Sequence, residues 1–318
     1  MRIGAFEVPE PLPELDSPHA LAMLRPWIDV GSVGALTLVG LETALEARDL
    51  TSLVHPGTFF DFTRYRPTLY FREGRRHMST PNTSISYART GTGRDFVFLK
   101  LLEPHMRSEI YVDSVVKLLG ALGVERYCLV GSMYDVVPHT RRLLVTGGAM
   151  GQAGHSVVQT TEALSSDYQG PTSVALLINR ELAESGVESM WFIVHLPQYA
   201  EIEENYVGKV RLMELLESLY GFSRNEADAQ KAREQVESID SAVEDNPELK
   251  AILPHIEASY QAKLDRKATN DSPSLSADTE EFLRGVGGTF IEGEYEYYDD
   301  DYGLDEDEDE DNDADGGL

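Results

Sequence analysis

Short apolar runs alternate with stretches of three-to-four-residue periodicity from the end of an N-terminal entry segment to about Phe222, and this alternation predicts an α/β fold. Residues 26–30 read as a buried strand running into Asp29-Val30-Gly31-Ser32-Val33-Gly34. Residues 33–47 read as a helix apolar nearly all round, hence one enclosed by its neighbours. Residues 50–54 and 68–72 read as short strands. Residues 85–88 and 95–102 bracket Thr90-Gly91-Thr92-Gly93, a turn sequence suited to a hairpin, so the sheet is expected to be mixed rather than purely parallel.

Tyr111, Val115, Leu118, Leu119 and Leu122 fall at helical spacing over 107–122, and Gly123 suits the left-handed residue that ends such a helix. Core strands follow at 125–130 and 142–146, the second opening into a glycine-rich connection over 147–154. A helix over 173–185, a strand over 190–195 and a helix over 202–219 complete the pattern. Beyond Gly221 the composition turns polar, with Ala229, Ala232, Val236, Ile239 and Val243 on one stripe and Leu249, Leu253, Ile256, Tyr260 and Leu264 on another. Asn246 and Pro247 between them make a helix start. These stripes predict a helical hairpin that either folds back on the core or offers a surface to a partner.

The expected organisation is a three-layer αβα core over 1–222, the hairpin over 223–266, and a disordered acidic tail over 267–318. That tail is too poor in apolar groups to offset the entropy of ordering, and only Phe290, Ile291 and the tyrosines near 295–298 offer something to dock.

Charge narrows the partners. The chain carries 27 basic and 55 acidic residues, net −28, and residues 285–318 contain fifteen acidic residues and no lysine or arginine. A surface of that sign repels phosphate backbones and anionic lipid, so neither a nucleic acid nor a membrane is expected as partner. One cysteine, Cys128, lies within an apolar run, which rules out an internal disulfide and reads as a buried thiol. With no apolar targeting segment at the N-terminus and no uninterrupted apolar stretch of membrane-spanning length, a cytoplasmic location is expected.

Candidate chemistry is sparse. The glycine run has the spacing G-G-x-x-G-x-x-G, with Ala149 where a dinucleotide fingerprint needs glycine, so it reads as a connection or turn. Asp29, Gly31 and Gly34 put a carboxylate beside backbone amides that open a helix, an arrangement for a ligand or, more simply, a helix cap. The loop Pro138-His139-Thr140-Arg141-Arg142 follows a core strand. There Arg141 could hold an anion, and a neutral His139, kept so if the arginines face it, could act as a base or donor. No metal-ligand spacing, nucleophile elbow or phosphate-binding loop occurs, so no catalytic residue, metal or cofactor is assigned.

Several strings resemble the proteasome-assembly-chaperone family, which includes the second eukaryotic proteasome assembly chaperone and its archaeal and bacterial relatives. They are Trp27 to Gly34, Phe60-Asp61-Phe62 with Arg66-Pro67, Phe96 to Pro104, Leu122-Gly123-Val124, Val137-Pro138-His139-Thr140-Arg141 and Pro197-Gln198-Tyr199. The resemblance spans about 20–222 and implies a fold like that of nucleoside phosphorylases and related hydrolases, self-association into a homo-oligomer, and a chaperone or adaptor role exerted by binding protein. Asp29, Gly31, Gly34, His139, Thr140, Arg141 and Tyr199 would then shape a strand-end cleft. The alternative is an enzyme acting there on a small anionic or nucleoside-like ligand. The last residues, Asp315-Gly316-Gly317-Leu318, depart from the hydrophobic-Tyr-any-residue tail of archaeal members that engage the proteasome, which speaks against direct proteasome docking.

Overall fold

The structure, a computed structural model, describes residues 1–269 apart from 92 and 167, with the side chains of 266–269 excluded. The tail expected beyond residue 269 lies outside the described residues. In chain order the elements are β1 (Arg2–Ile3), β2 (Phe6–Glu7), β3 (His19–Arg25), α1 (Val33–Ala44), β4 (Arg48–Ser52), β5 (Thr68–Arg72), β6 (Arg75–Ser79), β7 (Ser84–Ala88), β8 (Phe96–Leu102) and α2 (Ser108–Ala121). There follow β9 (Arg126–Asp135), β10 (Val145–Met150), α3 (Gly151–Gln159), β11 (Leu164–Ser165), α4 (Val174–Glu184), β12 (Glu188–Pro197), α5 (Tyr206–Tyr220), α6 (Glu226–Glu244) and α7 (Pro247–Thr269).

Eight strands make one mixed sheet in the order β11-β10-β12-β9-β3-β8-β7-β4. The centre is parallel, β12 with β9, β9 with β3 and β3 with β8, and antiparallel neighbours flank it on both sides. Successive side chains of a strand point to opposite faces. Accordingly Ala20, Ala22 and Leu24 of β3, Val97, Leu99 and Leu101 of β8, and Tyr127 and Leu129 of β9 pack with α2 and α4. Their alternates Leu21, Met23, Phe96, Phe98, Cys128 and Val130 pack with α1, α3 and α5 on the other face. The result is the expected three-layer αβα sandwich, and Cys128, fully buried, has its thiol pushed up to about 12 by that burial.

Two elements differ from the sequence reading. The central strand is β3 at His19–Arg25, not 26–30, because Pro26 has no N–H to give to a ladder and a strand flanked on both sides must stop before it. The glycine run is not a connection either: Gly147 and Gly148 belong to β10, and α3 starts at Gly151. A Cβ on Gly148 would stand 2.2 Å from the indole of Trp191, and one on Gly147 would stand 2.8 Å from the ring of Phe192. Gly147 and Gly148 make room for β12's aromatic rings.

The C-terminal helices fold back on the body. Lys209 of α5 bridges Asp228 of α6 at 2.7 Å, and Gln235 of α6 caps α5 by accepting from the amide of Tyr206 at 2.8 Å. Tyr260 and Leu264 of α7 close a small apolar cluster with Val137, Leu144 and Leu164.

Candidate functional site

The carboxyl ends of β3, β9 and β12 lie on one side of the sheet, where α/β folds usually gather their functional loops. Asp29 follows β3 and bridges Ser132 of β9, whose amide donates to the carbonyl of Ile28 at 2.8 Å. The Asp29 carboxylate accepts from the amides of Gly34 at 2.6 Å and Ala35 at 3.3 Å, the first turn of α1. Burial pushes its pKa up to about 7, against the pull of those two donors. Gly31 adopts φ 59° and accepts from the amide of Asn205, which in turn caps α5 through the amide of Gly208 at 2.7 Å. A Cβ on Gly34 would stand 2.9 Å from the Asp29 carboxylate. Asp29, Gly31 and Gly34 thus form a packed junction among α1, β9 and α5.

His139 and Tyr199 meet separately, past the carboxyl ends of β9 and β12. The Tyr199 hydroxyl accepts from the His139 amide at 2.8 Å and contacts Nδ1 of its ring at 2.6 Å, while Nε2 lies 2.9 Å from the carboxylate of Asp240 on α6. These contacts assign the phenol as donor to Nδ1 and Nε2–H as donor to Asp240. Thr140 donates to Glu257 of α7, and Arg141 lies 3.7 Å from the same carboxylate. Arg142 pairs with Glu162 and Glu214. The two arginines therefore turn to carboxylates of their own chain, and the helical hairpin holds the loop at His139, Thr140 and Arg141 through Asp240 and Glu257 and at the Arg142 carbonyl through the Tyr260 hydroxyl. Tyr199→Phe is expected to leave a buried His139 amide and ring nitrogen unpaired and to cost about 1–3 kcal/mol, read as a lowered midpoint in urea.

Sequence reasoning missed the hub of this region. Asp135, the last residue of β9, contacts Nδ1 of His195 at 2.9 Å and Nζ of Lys263 on α7 at 3.0 Å. Burial alone would raise its pKa, but the hydrogen bond from His195 and the charge of Lys263 outweigh it and hold the carboxyl well below the usual carboxylate range. His195 touches Thr146 at 2.9 Å through its other nitrogen. The only sequence cue was an aspartate where a core strand turns polar.

An open cleft of about 730 Å³ lies farther along the same sheet end, past β8, lined by Phe60, Asp61, Phe62, Arg64, His105 and Met106. His105 accepts from the Asp61 amide at 3.2 Å through Nδ1, and burial, with Arg64 nearby, lowers its pKa. None of the seven residues expected to shape a cleft lines this one. Among the described residues no group of three or more His, Cys, Asp or Glu is placed to hold a metal ion, and no helix is long and apolar enough to cross a membrane.

Solved structures place this architecture. The chain is similar to a PAC2 family protein from Streptomyces avermitilis, with TM-score 0.67 and 22% identity over 75% of this chain and 99% of that one. It is similar to a proteasome-assembly chaperone homologue from Mycobacterium tuberculosis, with TM-score 0.65 and 22% identity over 73% and 98%. Its fold also matches PbaB of Pyrococcus furiosus, an archaeal proteasome activator, with TM-score 0.58 and 13% identity over 74% and 97%. Among curated proteins none matches this sequence. The sequence profile of the PAC2 family matches residues 23–243, from the middle of the central strand through most of α6, and the chain belongs to that family.

Proposed function

We propose that this chain is an assembly-chaperone-like interaction protein that binds protein non-catalytically through its α/β core, in the cytoplasm and in association with its own copies or another polypeptide. The observation that carries this reading is the use made of the strand-end side chains. Asp29 caps α1, His139 is held between Tyr199 and Asp240, and Thr140 and Arg141 face Glu257. Groups spent on internal bonds in this way fix the shape of a surface rather than wait for a substrate. Membership of the PAC2 family and the fold shared with the M. tuberculosis and P. furiosus proteins support the same reading. The core over 1–222 would supply the binding surface and the hairpin over 223–266 would brace it.

A second reading, an enzyme on a small anionic ligand, is favoured by one observation: the open cleft lined by Arg64 and His105 together with Phe60 and Phe62. One experiment separates the two. Native protein recovered gently from its own cells is expected to bring a protein partner in stoichiometric amount, identified by mass spectrometry. A chain that brings no protein but retains a small molecule, released by denaturation, would overturn the interaction reading in favour of the cleft.

A further inference from the structure

The cleft past β8 differs from the loop at His139 in one respect: two of its polar side chains have nothing in their own chain to bind. It is built from two segments. The exit from β8 is tied to the turn over 56–62, because the amides of His105 and Met106 both donate to the Phe59 carbonyl, at 2.9 and 3.2 Å. Phe60, 1% exposed, packs against the rings of Tyr65 and Tyr111. The Tyr65 ring in turn lies 4.5 Å from that of His105, and its hydroxyl donates to the Glu103 carbonyl at 3.0 Å. These walls are fixed before any ligand arrives, which lowers the entropic cost of binding. At about 730 Å³ the space is of the size of small-molecule sites.

His105 has one tautomer open to it when neutral. A backbone amide can only donate, so Nδ1, which takes the bond from Asp61, carries no proton and Nε2 carries it. Protonation of Nδ1 would break that bond, and burial with Arg64 nearby already lowers the pKa of the ring. His105 therefore offers a fixed, neutral N–H, for which no acceptor exists among the described residues. Arg64 is the second free donor. Its guanidinium makes no hydrogen bond or salt bridge among the described residues, whereas Arg142 and Arg211 each hold a carboxylate. The acids of the two segments are engaged elsewhere: Asp61 accepts from the amide and hydroxyl of Thr63 at 2.8 Å, and Glu103 accepts from the Val174 amide at 3.1 Å at the start of α4.

A planar guanidinium fork beside a single N–H matches an acceptor with two oxygens. The other lining, from Phe60, Phe62, Pro104 and the half-exposed Met106, is apolar. Asp61, whose bonds from Thr63 lower its pKa, keeps its charge at the edge of the cleft and disfavours a second negative charge on the ligand. We propose that this cleft binds a monocarboxylate with an apolar body. The carboxylate lies between Arg64 and Nε2–H of His105, and the body lies against Phe60, Phe62 and Met106. The inference rests on the cleft of the second reading above, claims binding alone, and applies equally to a free acid and to the C-terminus of a polypeptide.

The test is calorimetric titration of the purified full chain with phenylpropanoate, with its uncharged amide, with inorganic phosphate, and with a tetrapeptide ending in phenylalanine whose carboxyl is free or amidated. Phenylpropanoate and the free-acid peptide are expected to bind at one site per chain, the tighter of the two naming the source, and the amides and phosphate at least about tenfold more weakly. Arg64→Gln is expected to raise the dissociation constant at least about tenfold. So is His105→Asn, which keeps an oxygen to accept from the Asp61 amide and removes the Nε2 donor. Arg66→Gln, which removes an exposed charge of the same turn that does not line the cleft, is expected to leave binding unchanged. Absence of carboxylate binding overturns the proposal, as does binding indifferent to Arg64→Gln and His105→Asn, or phosphate held more tightly than either carboxylate. A bound carboxylate recovered unchanged would keep the proposal and count against the enzyme reading. A cleft that ignores both carboxylates but retains a native small molecule of another class would overturn the proposal and leave that reading in place.

Discussion

Gly131→Ala is expected to be among the most damaging single substitutions in this protein, costing about 3 kcal/mol or more, the range of severe overpacking. Gly131 lies in β9 at the middle of the sheet, paired with Ile193 of β12. The chain leaving β3 crosses directly over it: a Cβ at this position would stand 2.1 Å from the carbonyl oxygen of Ile28. That oxygen is backbone and is already bound by the Ser132 amide, so it has no rotamer by which to escape. To admit the methyl group, residues 26–30 must lift away, taking Asp29 from the start of α1 and Val30 from its 2.5 Å bond with the Ser132 hydroxyl. Loss of soluble protein, or a fall in melting temperature of about 6–12 °C or more, is the expected outcome, given about 2–4 °C per kcal/mol for large domains. A variant that melts with the wild type would refute this account of the crossing.

Stability should depend on Asp29 with a sign opposite to that of most carboxylates. Its folded pKa is about 7, against an unfolded value near ~3.9. The folded state therefore holds the proton more tightly, and the contribution is fully present below pH 4 and lost as the pH rises through 7. Each unit of difference is worth roughly 1.4 kcal/mol, so the swing is of the order of a few kcal/mol. Asp135 runs the other way: its folded carboxyl is depressed, so its contribution is present above the unfolded value and lost as the pH falls through the folded one. Comparison with Asp29→Asn isolates the first effect, because the amide keeps an acceptor for Gly34 but does not titrate. The stability of Asp29→Asn relative to wild type is expected to rise from pH 4 to about pH 7 and then level off in urea titrations. A flat difference would mean that the two amide donors outweigh burial and keep the carboxylate charged throughout.

Most of the helices could be read from sequence because each carries its own evidence. The stripe Tyr111, Val115, Leu118, Leu119 recurs at helical spacing, and Asn246-Pro247 marks a start irrespective of what surrounds it. The strands were harder. His19–Arg25 is buried on both faces and shows no alternation to mark it as a strand, while the apolar stretch just after Pro26 looks equally suitable. The glycine run misled for a related reason, since nothing near positions 147–154 in the chain announces that the rings of Trp191 and Phe192 will lie against them.

The candidate site divides in the same way. Asp29 beside Gly34 is a local arrangement, five residues apart, and the capping role open to it from sequence is the one it plays. His139 was singled out, yet its partners Tyr199 and Asp240 lie 60 and 101 residues away, and Lys263 lies 128 residues from Asp135. The sequence by itself determined the α/β class, the mixed sheet, the helical hairpin, the net acidity and the strings that resemble the family, because periodicity, charge and short strings are properties of neighbouring residues. Tertiary structure alone decided that the strand-end residues are spent on internal bonds and that an open cleft lies past β8 instead, because burial and pairing depend on which distant segments the fold brings together.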